Sequence, residues 1–336
     1  MTNIAVIGCG YWGPNYIRIF NGLPAVSVSH CCDIDTKRLD SLKSTYPGVM
    51  TTTKYQDIFD NRKIDAVCIS TPASTHYEIG RKALLSGKHV LIEKPLALSS
   101  EHAKALVGLA RKEERILMVG HVYLYHPAVQ KIKSYFDDGE FDDLYYLYSA
   151  RTGLGPVRRD TNAMWDLAPH DLSIYTYLLG ETPKSVSANG ACHLQNGIED
   201  VVMLVLEFPR KVMGYVHASW LDPYKSRRLT IVGKSKMLLF EDTNPTEKIK
   251  IFDRQEVEQE AHSYGEFLLQ DRSGDIHIPK IESTEPLRNE CVQFIQCINT
   301  NTDAISNGEE GLQIVKILEA ADRSLKNRGV PVAIKT

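Results

Sequence analysis

Ile4-Ala5-Val6-Ile7-Gly8-Cys9-Gly10-Tyr11-Trp12-Gly13 opens the chain and decides how it folds. Four apolar residues run into a G-x-G-x-x-G, and a helix-like stretch, Asn15–Asn21, follows. A second apolar run, Val26-Ser27-Val28, leads to Asp33, 20 residues after Gly13. The first two glycines allow a tight turn and a close backbone approach to a pyrophosphate, and Gly13 lets the helix sit against the strand. The helix N-terminus turns free N–H groups and the positive end of its dipole toward the phosphates. Asp33 is placed to accept hydrogen bonds from the adenosine ribose. A 2′-phosphate would meet that carboxylate, and Ile34-Asp35 add no arginine to offset it. The pattern predicts bound NAD rather than NADP, with Gly8, Gly10, Tyr11, Trp12, Gly13 and Asp33 around it.

Beyond this segment, short apolar runs alternate with amphipathic stretches up to about residue 120. The runs are Ala66–Ile69, His89–Ile92 and Ile116–Val119; the stretches are Lys37–Tyr46, Thr75–Ser86 and Ser100–Glu114, the last opening on capping chemistry at Ser99-Ser100-Glu101. Continuous apolar strands alternating with helices predict a parallel sheet covered on both faces.

After residue 121 the pattern changes. Helical spacing appears at Pro127–Asp138 and Pro169–Leu179, then β-like runs at Lys184–His193, Asp200–Phe208, Val212–Leu221, Arg228–Val232, Lys236–Glu241 and Lys248–Phe252. Pro209-Arg210-Lys211 and Gly233-Lys234-Ser235 are hairpin-like links, so the strands they join are antiparallel. Val201–Phe208 is apolar at both alternating sets of positions; one face packs on helices, and the other calls for a partner subunit. Pro286–Cys297 and Gly308–Lys326 are helical, with Pro286 in a first turn and Gly329 as a stop. Residues 253–283 are polar and carry no clear element. The expected fold class is α/β: an N-terminal Rossmann doubly wound parallel sheet plus a C-terminal α/β domain with an open, mainly antiparallel sheet. The expected domains are 1–121, which holds NAD, and 122–336, for substrate and oligomerisation, with the last helices, about 285–330, packing back on the first.

Composition narrows the function classes. The 336 residues are 43% hydrophobic and 24% charged, the range of a globular enzyme. A net charge of -3 argues against a nucleic-acid partner. The start lacks the charged and apolar regions of a signal peptide, and no apolar run is long enough to span a bilayer. Seven irregularly spaced cysteines read as reduced thiols, and a cytoplasmic location is expected. Cys31-Cys32 ends an apolar strand and lacks metal-ligand spacing, so no metal is expected.

Two more segments fall at carboxyl ends of predicted strands, where ligands of such sheets bind. In Thr71-Pro72-Ala73-Ser74-Thr75-His76, Thr71 and His76 either line that crevice or, for His76, begin a surface helix. In Glu93-Lys94-Pro95, Pro95 holds Lys94 out of helical conformation. Lys94 there binds a substrate hydroxyl, holds its charge near the nicotinamide or relays a proton; the alternative is a solvated strand-end lysine. A third candidate is Trp165-Asp166-Leu167-Ala168-Pro169-His170-Asp171. Pro169 predicts a helix starting beside it, with His170 in the first turn, kept neutral by the helix dipole and fit to act as a general base. Asp166 orients that histidine or contacts a sugar hydroxyl; the plainer alternative is a helix cap beside a packing histidine.

The set Gly8-x-Gly10-x-x-Gly13, Thr71-Pro72, Glu93-Lys94-Pro95 and Asp166-x-x-x-His170, in this order, resembles the Gfo/Idh/MocA family of sugar-type oxidoreductases. The resemblance extends to Glu285-Pro286-Leu287. It implies an open antiparallel sheet through which homodimers or homotetramers form, catalytic roles for Lys94 and His170 with Asp166 beside them, and a sugar-like substrate. Ala163–Asp171 resembles the branch that oxidises the C3 hydroxyl of UDP-GlcNAc or its uronic acid. Arg151, Arg158 and Arg159 are then candidates to hold a diphosphate or carboxylate, each alternatively a solvated surface charge, with Trp165 lining the substrate site. An inositol or free-sugar dehydrogenase, and a catalytically silent NAD-binding regulator, are the competing readings.

Overall fold

Ile4–Ile7 cannot face water on either side, and the fold places them mid-sheet. The computed structural model describes residues 1–141, 143–155, 157–254 and 273–335. The chain divides into two units, Met1–His126 with Thr284–Glu319 and Pro127–Ser283 with Ala320–Thr336.

The first unit alternates strand and helix. Its elements are β1 (Thr2–Ile7), α1 (Gly13–Asn21), β2 (Val26–Cys32), α2 (Thr36–Thr45), β3 (Met50–Thr52), α3 (Gln56–Phe59), β4 (Ala66–Ile69), α4 (His76–Leu85), β5 (His89–Glu93), α5 (Ser100–Lys112) and β6 (Leu117–Gly120). The sheet order is β3-β2-β1-β4-β5-β6, and every pairing is parallel. Strand order reverses between β1 and β4, which opens a crevice at their carboxyl ends. Ile4, Val6, Val67, Ile69, Leu91 and Ile92 are buried, as strands covered on both faces require. Ser99 caps α5, its Oγ accepting from the His102 N–H at 3.2 Å.

The second unit holds α6 (Pro127–Asp137), β7 (Leu144–Leu154), α7 (Ala163–Leu179), β8 (Ser185–Ala191), β9 (Val201–Glu207), β10 (Met213–Ser219), β11 (Leu221–Gly233), β12 (Lys236–Glu241), β13 (Ile249–Arg254), β14 (Ser273–His277) and β15 (Val332–Ala333). Nine strands form one sheet in the order β14-β13-β12-β11-β7-β10-β9-β8-β15. All neighbours are antiparallel except β7 and β10. Both hairpin links join antiparallel neighbours, and Arg210 and Lys211 turn with φ of 57° and 64°. One face lies under α7: Val202, Leu204, Leu206, Val216 and Leu147 are buried. The Tyr175 hydroxyl of α7 bonds both Ser149 Oγ and the Tyr215 carbonyl at 2.8 Å, and Gly214 leaves room for its ring.

Two expectations need correction. The sequence reading has no strand at Leu144–Leu154, yet β7 stands mid-sheet, in register with both β10 and β11. Its run of Tyr, Ser, Arg and Thr lacks clean alternation, so pairing on both sides, not pattern, makes it a strand. Nor does α7 begin at Pro169. It begins at Ala163, where Asn162 Oδ1 accepts from the Trp165 N–H at 3.0 Å. Pro169 lies inside the helix, which keeps its path although one backbone donor is missing there.

Ahead of β15 come two more helices, α8 (Pro286–Thr300) and α9 (Gly308–Lys326). Phe294 of α8 packs near Phe20 of α1, with ring centroids 6.5 Å apart. The Ser306 carbonyl accepts from the Val119 N–H at 2.8 Å, and Ser306 Oγ donates to the Val119 carbonyl at 2.7 Å, so this segment extends the β6 edge. Of the polar stretch 253–283, residues 255–272 lie outside the described residues. Among the described residues no helix is long and apolar enough to cross a membrane, and no cluster suits a metal ion.

Candidate active site

The β1–α1 loop is shaped by its glycines. Gly8 has φ +95°, and a Cβ on it would lie 2.6 Å from the Ser70 backbone. A Cβ on Gly13 would overlap the Gly8 carbonyl oxygen. Gly10 differs: among the described residues a Cβ there would meet only Arg38 Nη1, at 3.5 Å, so its side is open. No side chain caps α1, whose Ncap position is Trp12; Tyr11 is 85% exposed and meets the Trp12 ring edge-on.

Asp33 is buried at the end of β2. Its Oδ2 accepts from the Cys9 N–H at 2.6 Å, and its Oδ1 accepts from the Asp35 N–H at 2.9 Å. Arg38, from the first turn of α2, reaches the same carboxylate at 3.4 Å. The sequence reading found no arginine in Ile34-Asp35; the helix brings one from further along the chain.

After β4, Thr71 Oγ1 accepts from Thr75 Oγ1 at 2.7 Å. His76 is buried, and neither crevice-lining nor a surface position describes it. Its Nδ1 lies 2.7 Å from the Pro95 carbonyl and its Nε2 2.9 Å from the Thr71 carbonyl. The ring clamps the loop that carries Thr71 and Pro72 to the loop that carries Lys94. Glu93 and Lys94 leave β5 half-buried, and the Lys94–Pro95 peptide is cis.

Glu93 pairs in register with Gly120, so His121 leaves β6 beside Lys94. His121 belongs to no motif in the sequence. It is 1% exposed, and neither ring nitrogen has a hydrogen-bond partner among the described residues. Burial, aided by the Lys94 charge, lowers its pKa to about 3. Its only sequence signal is position, directly after an apolar strand. NAD fits this edge on two observations: the open side of Gly10 where a phosphate would pass, and the orphaned imidazole beside Lys94. Bound there, NAD would supply a hydride acceptor. Gly10, the α1 N-terminus and Asp33 would hold its adenosine diphosphate half, and Lys94 would place a cation at the reacting end.

In the second unit, Asp166 and His170 lie one helical turn apart on α7, on one face. Asp166 Oδ1 is 3.3 Å from Arg158 Nη1, and its Oδ2 accepts from Trp220 Nε1 at 3.2 Å. Asp166 is therefore a held carboxylate in the first turn, not a cap. His170 sits beyond the first turn, so the helix dipole does not explain a neutral imidazole there. Trp220, which carries no motif in the sequence, is among the groups that fix Asp166. Arg158 is also forked onto Asp160 at 3.0 and 3.1 Å.

Two expected substrate contacts are corrected. Arg151 is buried, and its Nε and Nη2 bond Asp171 at 2.8 and 3.1 Å. That fork ties β7 to α7 and is closed to a diphosphate. Trp165 is buried with Nε1 donating to Asp322 Oδ2 at 2.9 Å, so its indole anchors α7 to α9. A helix turns successive residues about 100° apart, which sets Trp165 and Asp166 on different faces.

An all-parallel sheet in this order, with a glycine loop after its first strand, a buried carboxylate at the end of its second and a lysine at its carboxyl edge, is the sheet of an NAD-dependent oxidoreductase. Residues 2–121 match the model of an oxidoreductase family with an NAD-binding Rossmann fold, and residues 129–239 match the GFO/IDH/MocA C-terminal domain. The chain belongs to the Gfo/Idh/MocA family. It is similar to the UDP-N-acetylglucosamine 3-dehydrogenase of Acidithiobacillus ferrooxidans, 38% identical over 129 residues, 38% of this chain and 40% of that one. The solved structure of that protein shares the fold, with a TM-score of 0.83 and 22% identity over 97% of this chain and 98% of that one. A scyllo-inositol 2-dehydrogenase (NAD(+)) of Bacillus subtilis is 33% identical over 50% of this chain and 52% of its own. GenD2 from gentamicin A biosynthesis, solved in complex with NAD, has a TM-score of 0.83 and 21% identity, covering 100% of this chain and 97% of that one.

Proposed function

We propose that the chain oxidises a secondary hydroxyl of a sugar with NAD, the C3 hydroxyl of UDP-GlcNAc or of its uronic acid, to a 3-keto nucleotide sugar and NADH. The observation that carries this reading is the Asp166–His170 pair: two groups one turn apart on α7, the carboxylate held by Arg158 and Trp220. His170 takes the hydroxyl proton, Asp166 contacts a neighbouring hydroxyl, and Lys94 polarises the reacting oxygen. Glu93, Thr71 and Pro72 line the nicotinamide end, held in place by the His76 clamp. Arg158 meets the anionic part of the substrate, its guanidinium half exposed.

The substrate-bearing unit works as part of a homo-oligomer. Met203, Tyr215 and Tyr146 stand together on the sheet face opposite α7, all more than a third exposed, and Tyr146 meets Tyr215 edge-on. A second copy of the same face is the occupant we assign to it.

NADH absorbance with UDP-GlcNAc, its uronic acid, myo-inositol and free hexoses tests the reading. Reduction with the UDP-sugars and its loss in Lys94→Ala and His170→Ala, with NAD still bound, supports it. Turnover of inositol alone moves the substrate to the class named in the Bacillus relative. NAD binding with no turnover of any sugar makes the chain a regulator.

A further inference from the structure

Three side chains from separate segments meet behind Lys94. Tyr16 of α1 is fully buried, and its hydroxyl lies 2.8 Å from Glu93 Oε1 and 3.0 Å from Glu290 Oε1. Glu290, on α8, is 0% exposed. Gly120 leaves room for the meeting: a Cβ there would come within 3.2 Å of both Tyr16 Oη and Glu93 Cα.

A phenol has one proton to donate. Tyr16 can donate to one carboxyl only, so the other must bring a proton of its own or two acceptors would face each other. The proton count requires one neutral carboxylic acid in the trio. Burial decides which. Glu93 is half-buried, and its Oε2 accepts from the Lys94 N–H at 3.2 Å. Glu290 is sealed, and its Oε2 has no partner among the described residues. An ionised carboxylate there would be buried without compensation. Among the described residues, the titratable groups facing Glu290 are Tyr16, Glu93, Cys68, Cys291 and Tyr125, none of them a cation. The nearby cation on α1, Arg18, is closed onto Glu285 at 2.5 Å. Burial, then the Glu93 charge, raises the Glu290 pKa well above the ordinary value.

We propose that Glu290 is held as a neutral acid donating to Tyr16 Oη, that Tyr16 donates to Glu93, and that this chain keeps Glu93 ionised as the anchor of Lys94. Glu290 and Tyr16 are positioning residues for the NAD site. The proposal rests on the reading of Glu93 and Lys94 as members of that site.

Melting of the NAD-free protein from pH 5 to pH 8 tests the proton count. The unfolded chain ionises near the ordinary glutamate value, so a folded neutral acid makes stability fall as pH rises above it. Glu290→Gln keeps a donor for Tyr16 and does not titrate. Its melting temperature should therefore gain on wild type steadily toward pH 8. Equal slopes for the two proteins would overturn the proposal. NAD titrations across pH test the anchoring. Without the phenol proton, Glu93 holds its charge less well, so Tyr16→Phe should move the acid limb of NAD binding up by about half a pH unit or more. Glu290→Gln should keep the wild-type limb. An unmoved limb in folded Tyr16→Phe reduces the trio to packing and overturns the role. Neither measurement involves a sugar, so failure of the substrate reading leaves both outcomes readable.

Discussion

Arg38 Nη1 stands 3.4 Å from Asp33 Oδ2, so the carboxylate expected to exclude a 2′-phosphate has a guanidinium beside it. Arg38 is about half exposed and also borders a cavity of about 550 Å³ between α1 and α2. The Asp33 charge favours NAD while Arg38 dilutes that preference. Asp33→Ser should cut kcat/KM for NAD and raise it for NADP, each by about tenfold or more, ~1.4 kcal/mol. Arg38→Ala added to Asp33→Ser should remove the NADP gain. Steady-state rates with both cofactors read this directly; no NADP gain in Asp33→Ser would remove Arg38 from cofactor choice.

The glycines of the loop should separate by role. Gly13→Ala drives a methyl into the Gly8 carbonyl, so it should lower the melting temperature and abolish NAD binding together. Gly10→Ala meets only the tip of Arg38, so it should fold normally and lose NAD affinity alone. Melting curves and NAD titrations on both variants distinguish the two effects.

Arg151 and Arg158 should also separate. Arg151→Ala leaves Asp171 buried and unmatched, which should destabilise the fold by about 3–5 kcal/mol. Arg158 is half exposed, so Arg158→Ala should shift the melting temperature little. Because it frees one side of Asp166, it should lower kcat/KM by about tenfold or more. A large stability loss in Arg158→Ala with unchanged kinetics would reverse these roles.

Acid should weaken the fold through two buried histidines. The pKa of His121 is lowered to about 3, by burial and Lys94, and that of His89 to about 4, by burial and Arg115. Both are neutral in the fold, while the unfolded chain takes up protons near pH 6.5. Their contribution is complete above that pH and is lost as pH falls toward 4 and then 3. His121→Asn should flatten the decline in melting temperature between pH 6.5 and pH 4.5. An unchanged decline would mean that His121 is protonated in the fold.

Much of the first unit was legible because its signals are local. A continuous apolar strand such as Ile4–Ile7 has one environment open to it, and the loop from Gly8 to Gly13 needs glycine locally, at Gly8 for its φ of +95° and at Gly13 for its approach to the Gly8 carbonyl. Ser99 as a cap and the hairpin links are local for the same reason. Where the reading failed, a distant partner decided. β7 is a strand because β10 and β11 pair with it on either side. Pro169 is the local exception: it lies in a helix interior because Asn162, a few residues earlier, already caps the helix. Arg151 looked like a phosphate ligand until Asp171 lay beside it, and Trp165 looked like a substrate wall until Asp322 took its indole proton.

The sequence alone determined the dinucleotide-binding sheet, its glycine loop and the acidic residue, Asp33, at the end of its second strand. Each depends on residues close together along the chain. Only the tertiary structure decided which distant charges are closed into ion pairs, that His121, with no hydrogen-bond partner among the described residues, lies beside Lys94, and that Glu290 reaches Glu93 through Tyr16. Those facts depend on burial and on contacts between segments far apart in sequence, and no local spacing encodes them.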